Sequence, residues 1–271
     1  MIVDGHVHVV SDDLDRYPLR PTGIGNAWFR DVPVTVGQLA ALMDAAGIDR
    51  AVLVQAMGAY GFDNDYVLDA TAADPARFRS VVIVDAATDA DAAAKTLRAL
   101  AAERGTSGVR LFALAEGWFA ERAADPIWRA AADLDLAVVV TILANQLPAL
   151  GRALHRFASV PVALDHCGFA DVGGGPSLPR AAALLALADR PNLTLKVSSH
   201  VLEATPEPAG LVDRLARAYG ADRVMWGSDF PQTHHHPYAD LVALGRRACA
   251  RLSPEAGAAF LGGNAVRLHR W

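Results

Sequence analysis

Near its start the chain reads Asp4-Gly5-His6-Val7-His8, two imidazoles one residue apart in an apolar run. In an extended strand the side chains at i and i+2 share a face, so His6 and His8 project together. Such a pair can ligate a metal ion or polarise a carbonyl oxygen. The plain alternative is two polar residues on a chance strand face, but burying two imidazoles in an apolar strand is costly without a purpose. Two further groups interrupt later apolar runs: His166 in PVALDHCGF and Asp229 in VMWGSDFP. Alone, His166 reads as readily as a hydrogen-bonded core histidine, and Asp229 ahead of Phe-Pro as a turn cap. Their interest depends on where the strands put them.

Short β-branched runs bounded by Gly, Pro or Asp recur at 2–9, 51–56, 80–84, 108–112, 137–142, 161–166, 193–198 and 223–227. Between them lie segments of helical composition, among them 35–47, 88–104, 120–134, 178–189 and 207–219. Runs such as AVLVQA and LAVVVTIL are apolar on both faces, as parallel strands covered by helices are. Eight such units predict an α/β fold, a single (β/α)8 TIM barrel, since that architecture commonly takes about 250 residues; a doubly wound open sheet is the alternative. No Pro- or Gly-rich linker divides the chain, and GGGP at 173–176 falls inside one loop, so residues 1–271 read as one barrel domain. Barrel enzymes build their sites from the loops that follow the strands. There His6, His8, His166 and Asp229 can converge, and the long segment 10–34 is expected to join them.

Composition sets limits on function. With 52% hydrophobic and 20% charged residues the 271-residue chain has material for a full core and is no disordered tail. Lys plus Arg number 25 against 30 Asp plus Glu, a net charge of −5 with no long basic stretch, so nucleic acid is not an expected partner. Cys167 and Cys249 form no CxxC pair, which removes disulfide scaffolds and thiolate zinc modules and fits a reducing cytoplasm. The start MIVDGHVHVV has no basic n-region, and no apolar run approaches the ~20 residues of a membrane helix, so a cytoplasmic protein without membrane contact is expected. The chain lacks GxSxG, P-loop, HExxH and GxGxxG motifs, which argues against serine esterases, kinases, HExxH proteases and dehydrogenases. Trp28, Phe29, Trp118 and Phe119 read as exposed aromatics suited to a lid or to a homo-oligomer contact.

The DxHxH start, GVR at 108–110, DHCG at 165–168, LKVS at 195–198, WGSDFP at 226–231 and the closing GNAVRL resemble the amidohydrolase-related, metal-dependent hydrolase superfamily of TIM barrels over nearly the whole chain. The stretch VLVQAMGAYGFDNDYVLDATAADPARFRSVVIVD is similar to the branch containing 2-pyrone-4,6-dicarboxylate lactonase, sulfomuconolactone hydrolase and the sugar-acid lactonases. The resemblance implies that Asp229 acts as general base on water while His6, His8 and His166 hold a divalent metal or polarise the carbonyl directly. Ester hydrolysis needs an activated water, oxyanion stabilisation and an acid for the leaving group, and this set can provide all three. Arg110, at the place of the family's fourth-strand arginine, is expected to grip a substrate carboxylate, with a barrel-floor ion pair as its other reading.

Tyr60, Asp63 and Asn64 match the family's YGxDN stretch. Tyr60 and Asn64 are expected at the substrate site and Asp63 as a helix cap. Lys196 and Ser198 share one face of the seventh strand and join the substrate-binding set, the lysine either paired structurally or placed to meet an anion. The run His234-His235-His236 supplies a mobile proton carrier or added metal affinity, or is a solvated loop. In one place the chain departs from the family. Metal-binding relatives carry a His or a carboxylated Lys at the end of the fifth strand, and here that region reads VVVTILANQ. A binuclear centre is therefore not expected, which leaves one divalent ion, zinc by preference, on His6, His8, His166 and Asp229, or metal-free catalysis. The resulting expectation is a hydrolase that opens a small carboxylated lactone. A metal-dependent non-oxidative decarboxylase of an aromatic or muconate-type acid, and a non-catalytic binding protein for a carboxylated metabolite, are the alternatives.

Overall fold

In the computed structural model the predicted strands form one parallel eight-stranded sheet in sequential order. They are β1 (Val3–Val7), β2 (Arg50–Val54), β3 (Phe78–Ile83), β4 (Gly108–Ala113), β5 (Ala137–Ile142), β6 (Val162–Leu164), β7 (Leu193–Ser198) and β8 (Val224–Gly227). All residues are described except 23–26, 115–116, 174–177 and 234. The crossovers are carried by α1 (Val36–Ala46), α2 (Asp65–Ala73), α3 (Ala90–Glu103), α4 (Asp125–Asp133), α5 (Leu147–Arg156), the short α6 (Ala182–Leu185) and α7 (Pro208–Tyr219), with α8 (Tyr238–Ala248) after β8. The architecture is a (β/α)8 barrel, and the open-sheet alternative falls away because the sheet closes on itself.

Closure takes place where β1 meets the end of β8. Val7 bridges Phe230 in parallel, His8 N donates to Phe230 O at 2.8 Å, and Asp229 N donates to His6 O at 2.8 Å. This seam explains two glycines. A Cβ on Gly5 would stand 2.6 Å from Trp226 O, and one on Gly227 would stand 2.8 Å from His6 Cβ, so only glycine lets the two strands approach. Asp4 fastens the same seam from within: its carboxylate accepts from Ser228 N (2.8 Å), Tyr238 Oη (3.0 Å) and His6 N (3.2 Å). Inside the barrel Val3, Val52, Val54, Val81, Val139, Ala163 and Met225 pack together, and Ala265 and Leu268 cover that cluster. The residues that alternate with them, such as Leu53, Val82, Leu111 and Val140, pack outward under the helices.

Helix limits follow local chemistry. Thr35 caps α1 in a capping box with Gln38, and Gly47 ends it in the left-handed region. The segment read as helix from 120 runs through 3₁₀ turns at Trp118–Ala120 and Arg122–Ala124 and becomes α-helical only at Asp125, where Pro126 takes its usual first-turn place. The predicted helix 178–189 shrinks to a 3₁₀ turn and α6. Pro191 disfavours helical backbone at Arg190 and limits extension on that side. The aromatics read as exposed are not: Trp28, Phe29 and Phe119 are buried and Trp118 packs against the core. They lie in connecting segments that fold back over the barrel, which composition does not reveal. No helix among the described residues is long and apolar enough to cross a membrane.

Candidate active site

His6 and His8 leave β1 on the same side, as their spacing requires, and their Nε2 atoms meet at 3.2 Å with the rings edge to face. The seam hydrogen bonds bring Asp229 to them. Its Oδ1 lies 3.5 Å from His6 Nε2 and 3.4 Å from His8 Nε2. All three side chains are buried, and Asp229 Oδ1 has no hydrogen-bond partner among the described residues. Burial alone would raise the Asp229 carboxyl, but His166, His8 and His6 outweigh it and hold it well below the usual carboxylate range. Asp229 therefore sits there ionised.

The outer nitrogens settle which way the imidazoles point their lone pairs. His8 Nδ1 donates to the carbonyl of Val54 at 2.8 Å, an acceptor only, so the neutral ring presents a lone pair at Nε2. His6 Nδ1 faces the Asp165 carboxylate at 3.2 Å, which fixes the same tautomer, and burial holds the His6 pKa well below its ordinary 6.5. Two lone pairs and a carboxylate oxygen then converge without a proton between them, an arrangement that asks for a cation. The spacing agrees: nitrogen and oxygen ligands about 2.0–2.1 Å from a tetrahedral zinc lie about 3.3 Å apart. The residues present thus fit one divalent ion on His6, His8 and Asp229.

His166 borders that trio, its ring 5.1 Å from that of His6. Its ligand atoms group with His6 and Asp165, and its Nδ1 is engaged by Ser198 Oγ at 2.9 Å. The predicted four-residue set therefore divides into three converging donors and one flanking imidazole. The reason is backbone. β6 ends at Leu164, two residues earlier than predicted, and His166, Cys167, Gly168 and Phe169 follow with φ of 53°, 51°, 64° and 50°. Asp229 is also left-handed, at 60°. Non-glycine residues in this region are uncommon and cost on the order of 1–3 kcal/mol each, and such strain clusters at functional sites.

A cavity of about 100 Å³ opens beside the trio at the C-terminal end of the strands, lined among others by His8, Trp28, Arg110, Phe112, Thr141, His166, Phe169 and Gln232. Larger surface cavities exist, but none of them is lined by these histidines. Trp28 comes from the long segment after β1, and its ring lies 5.5 Å from that of His8, as expected of a loop that contributes to the site.

A sequence model of the amidohydrolase family matches residues 3–271. The chain belongs to the amidohydrolase family. The L-fucono-1,5-lactonase of Burkholderia ambifaria is 32% identical over 248 residues, covering 86% of this chain and 83% of that protein. The D-galactarolactone isomerase of Agrobacterium fabrum is 31% identical over 244 residues, covering 84% and 76%. Among solved structures, a candidate 2-pyrone-4,6-dicarboxylic acid hydrolase from Pseudomonas putida superposes with a TM-score of 0.81 at 27% identity, covering 99% of this chain and 97% of that one.

In this amidohydrolase the residue that sequence reasoning missed is Asp165. Fully buried, it receives Arg110 Nε (3.0 Å) and Thr141 Oγ1 (2.7 Å) on Oδ2, and it faces Lys196 Nζ (3.2 Å) and His6 on Oδ1. Burial would raise its carboxyl, but Lys196, His6 and Arg110 outweigh that and hold it well below 3.8. Thr141 comes from β5, whose residues include neither His nor Lys. Arg110 spends its Nε edge on Asp165 and Thr141 and also lines the cavity. Lys196 does not line the cavity; it lies behind His6, paired with Asp165.

Other expected residues lie elsewhere. Among the described residues Ser198 reaches the site through its contact with His166. Tyr60 accepts from Ser11 N at 2.8 Å, and the Asn64 amide is consumed by Phe62 O, Ile83 O and Ile83 N, while both line a different cavity beside Arg20. Asp63 accepts from Asp65 N, the first residue of α2, but the N-cap position is Asn64, and no side chain caps the helix. His234 lies outside the described residues, and His235 and His236 face Glu203 at the surface.

Proposed function

We propose that this amidohydrolase, acting as one barrel domain over residues 1–271, opens a small carboxylated lactone by hydrolysis. The observation that carries the reading is the ionised, buried Asp229 carboxylate, one oxygen of which has no hydrogen-bond partner among the described residues and faces two imidazole nitrogens. A carboxylate so placed can take a proton from a water that attacks a carbonyl carbon. As the acyl–oxygen bond breaks, the same proton passes from Asp229 to the departing ring oxygen, so that lactone plus water balances as a hydroxy acid. Burial favours the neutral form of His166, and in the tautomer in which Ser198 Oγ donates to Nδ1 the proton on Nε2 stabilises the oxyanion. Arg110, oriented by Asp165 and Thr141 and lining the cavity, meets the substrate's carboxylate with the rest of its guanidinium. His6, His8 and Asp229 would hold a zinc or similar divalent ion, which when bound would supply Lewis-acid activation. The relatives acting on L-fucono-1,5-lactone and D-galactarolactone support a lactone as the substrate class.

The test is proton release from carboxylated pyrones, muconolactones and aldonolactones in a weakly buffered indicator assay. Wild type should acidify at least one of them, and Asp229→Asn should be slower by about 100-fold or more, the scale of a lost general base. Equal rates, or no lactone consumed by wild type, overturn the proposal. The isomerase among the relatives supports a second reading in which a substrate hydroxyl replaces water; a new lactone would then appear without net acid.

A further inference from the structure

A second group of metal-ligating side chains stands on the surface, outside everything the proposed reaction uses. Glu203 ends the short helix Ser199–Glu203 that continues β7, and His235 and His236 lie between β8 and α8. His235 Nε2 is 3.4 Å from Glu203 Oε2, His236 Nε2 is 3.4 Å from Glu203 Oε1, and the two rings are 4.5 Å apart. One ligand atom from each residue lies within 4.8 Å of the others. Each imidazole nitrogen thus lies close to one tetrahedral edge, about 3.3 Å for zinc bonds of about 2.0–2.1 Å, from its own oxygen of the Glu203 carboxylate.

We infer that Glu203, His235 and His236 form a second divalent-cation site, at the mouth of the barrel and separate from the central trio. Its donor set decides the ion. Two imidazoles and a carboxylate suit Zn2+, Ni2+ or Cu2+, whereas Mg2+ and Ca2+ want oxygen shells. Both imidazoles are about half exposed, with side-chain values of 58% and 47%, so the site is open to an arriving ion and leaves positions for water. An adjacent cavity of about 340 Å³ is lined by Glu203, His236, Asp240 and Arg247, so a second carboxylate adds to the attraction and one guanidinium opposes it. Occupancy ties the segment that carries Asp229 and Gln232 to the helix following β7. An ion there thus fastens one wall of the cleft.

The experiment uses the full chain with its central site preloaded with zinc, titrated with Ni2+ by calorimetry and with Cu2+ by electron paramagnetic resonance. Wild type should take up one equivalent more than the His235→Ala/His236→Ala variant. Each single substitution, and Glu203→Gln, should weaken that binding about tenfold or more, because even outer-shell partners of metal ligands are worth 10- to 100-fold. The Cu2+ spectrum should show two nitrogen ligands in wild type and one in each single histidine variant. His200→Ala serves as an exposed-histidine control and should change nothing, and turnover without added metal should be unaltered in the double variant. Retention of the extra equivalent in the double variant, or its loss in the His200 control, overturns the assignment.

Discussion

Asp165→Asn keeps the shape of a buried side chain and deletes its charge. In wild type that charge faces Arg110 Nε at 3.0 Å and Lys196 Nζ at 3.2 Å, with all three side chains buried. Leaving a guanidinium and an ammonium against a neutral amide costs on the order of 3–5 kcal/mol. A chain of 271 residues unfolds with an entropy of about 0.6 kcal/mol/K, so the melting midpoint should fall by about 5–9 °C. The substitution also replaces the charged acceptor at His6 Nδ1 with a weaker amide oxygen, and zinc affinity should drop about 10- to 100-fold. Calorimetry gives the first quantity and competition with a chromophoric chelator the second. Adding Lys196→Met removes one stranded charge, so the double variant should recover part of the midpoint and none of the zinc affinity. The reasoning fails if the single variant melts within about 2 °C of wild type, or if Lys196→Met lowers the midpoint further.

Three other perturbations probe different parts of the argument. Stripping divalent ions should destabilise the protein, and zinc at a hundred times its Kd should restore about 2.7 kcal/mol, near 5 °C, in wild type but not in His8→Ala; a midpoint indifferent to chelator would refute the proposed ligand trio. His269 is buried, bonded to Ser107 Oγ through Nδ1 at 2.9 Å, and burial pushes its pKa from 6.5 down to about 3. Between those values the unfolded chain binds a proton that the native state does not, so this stability is complete above 6.5 and falls by at most about 1.4 kcal/mol per unit as the pH drops toward 3. From pH 7 to pH 5 the unfolding free energy of wild type, read from urea titrations, should therefore fall by about 2 kcal/mol more than that of His269→Gln, and parallel losses would sink the idea. In Gly227→Ala the new methyl would stand 2.8 Å from His6 Cβ and N, forcing β1 and β8 apart. Such overpacking costs about 1–3 kcal/mol, and here zinc affinity should fall with it; unchanged zinc affinity in the folded variant would count against a site built on the seam.

What the sequence made legible was the part that depends on short spacing. The i, i+2 rule places His6 and His8 together whatever surrounds them, and β-branched runs in regular alternation with Ala- and Leu-rich segments leave few folds besides a barrel. Asp229 was findable because it follows the last strand directly. Asp165 was not, although it adjoins His166. Strand alternation would send the two to opposite faces, and only the left-handed turn after Leu164 lets both contribute to the interior. The partners of Asp165 stand 24, 31 and 55 residues away at Thr141, Lys196 and Arg110, distances over which no local pattern speaks. The same limit separated Tyr60 and Asn64 from the site: a matching stretch shows that a loop exists, and the hydrogen bonds that consume the Asn64 amide become visible only when Ile83 is seen beside it.

The seam also orders events in time. Asp4 and Ser228, which join β1 to the end of β8, are 224 residues apart. Closing a loop of that length costs an unfolded chain about 5 kcal/mol in entropy. A growing chain therefore exposes His6 and His8 on the ribosome long before Asp229 is made, and until the barrel shuts those imidazoles are a weak two-nitrogen trap. On the ligand set proposed here, tight ion capture waits for the last strand. A truncated or nicked chain would be recognisable by its empty centre.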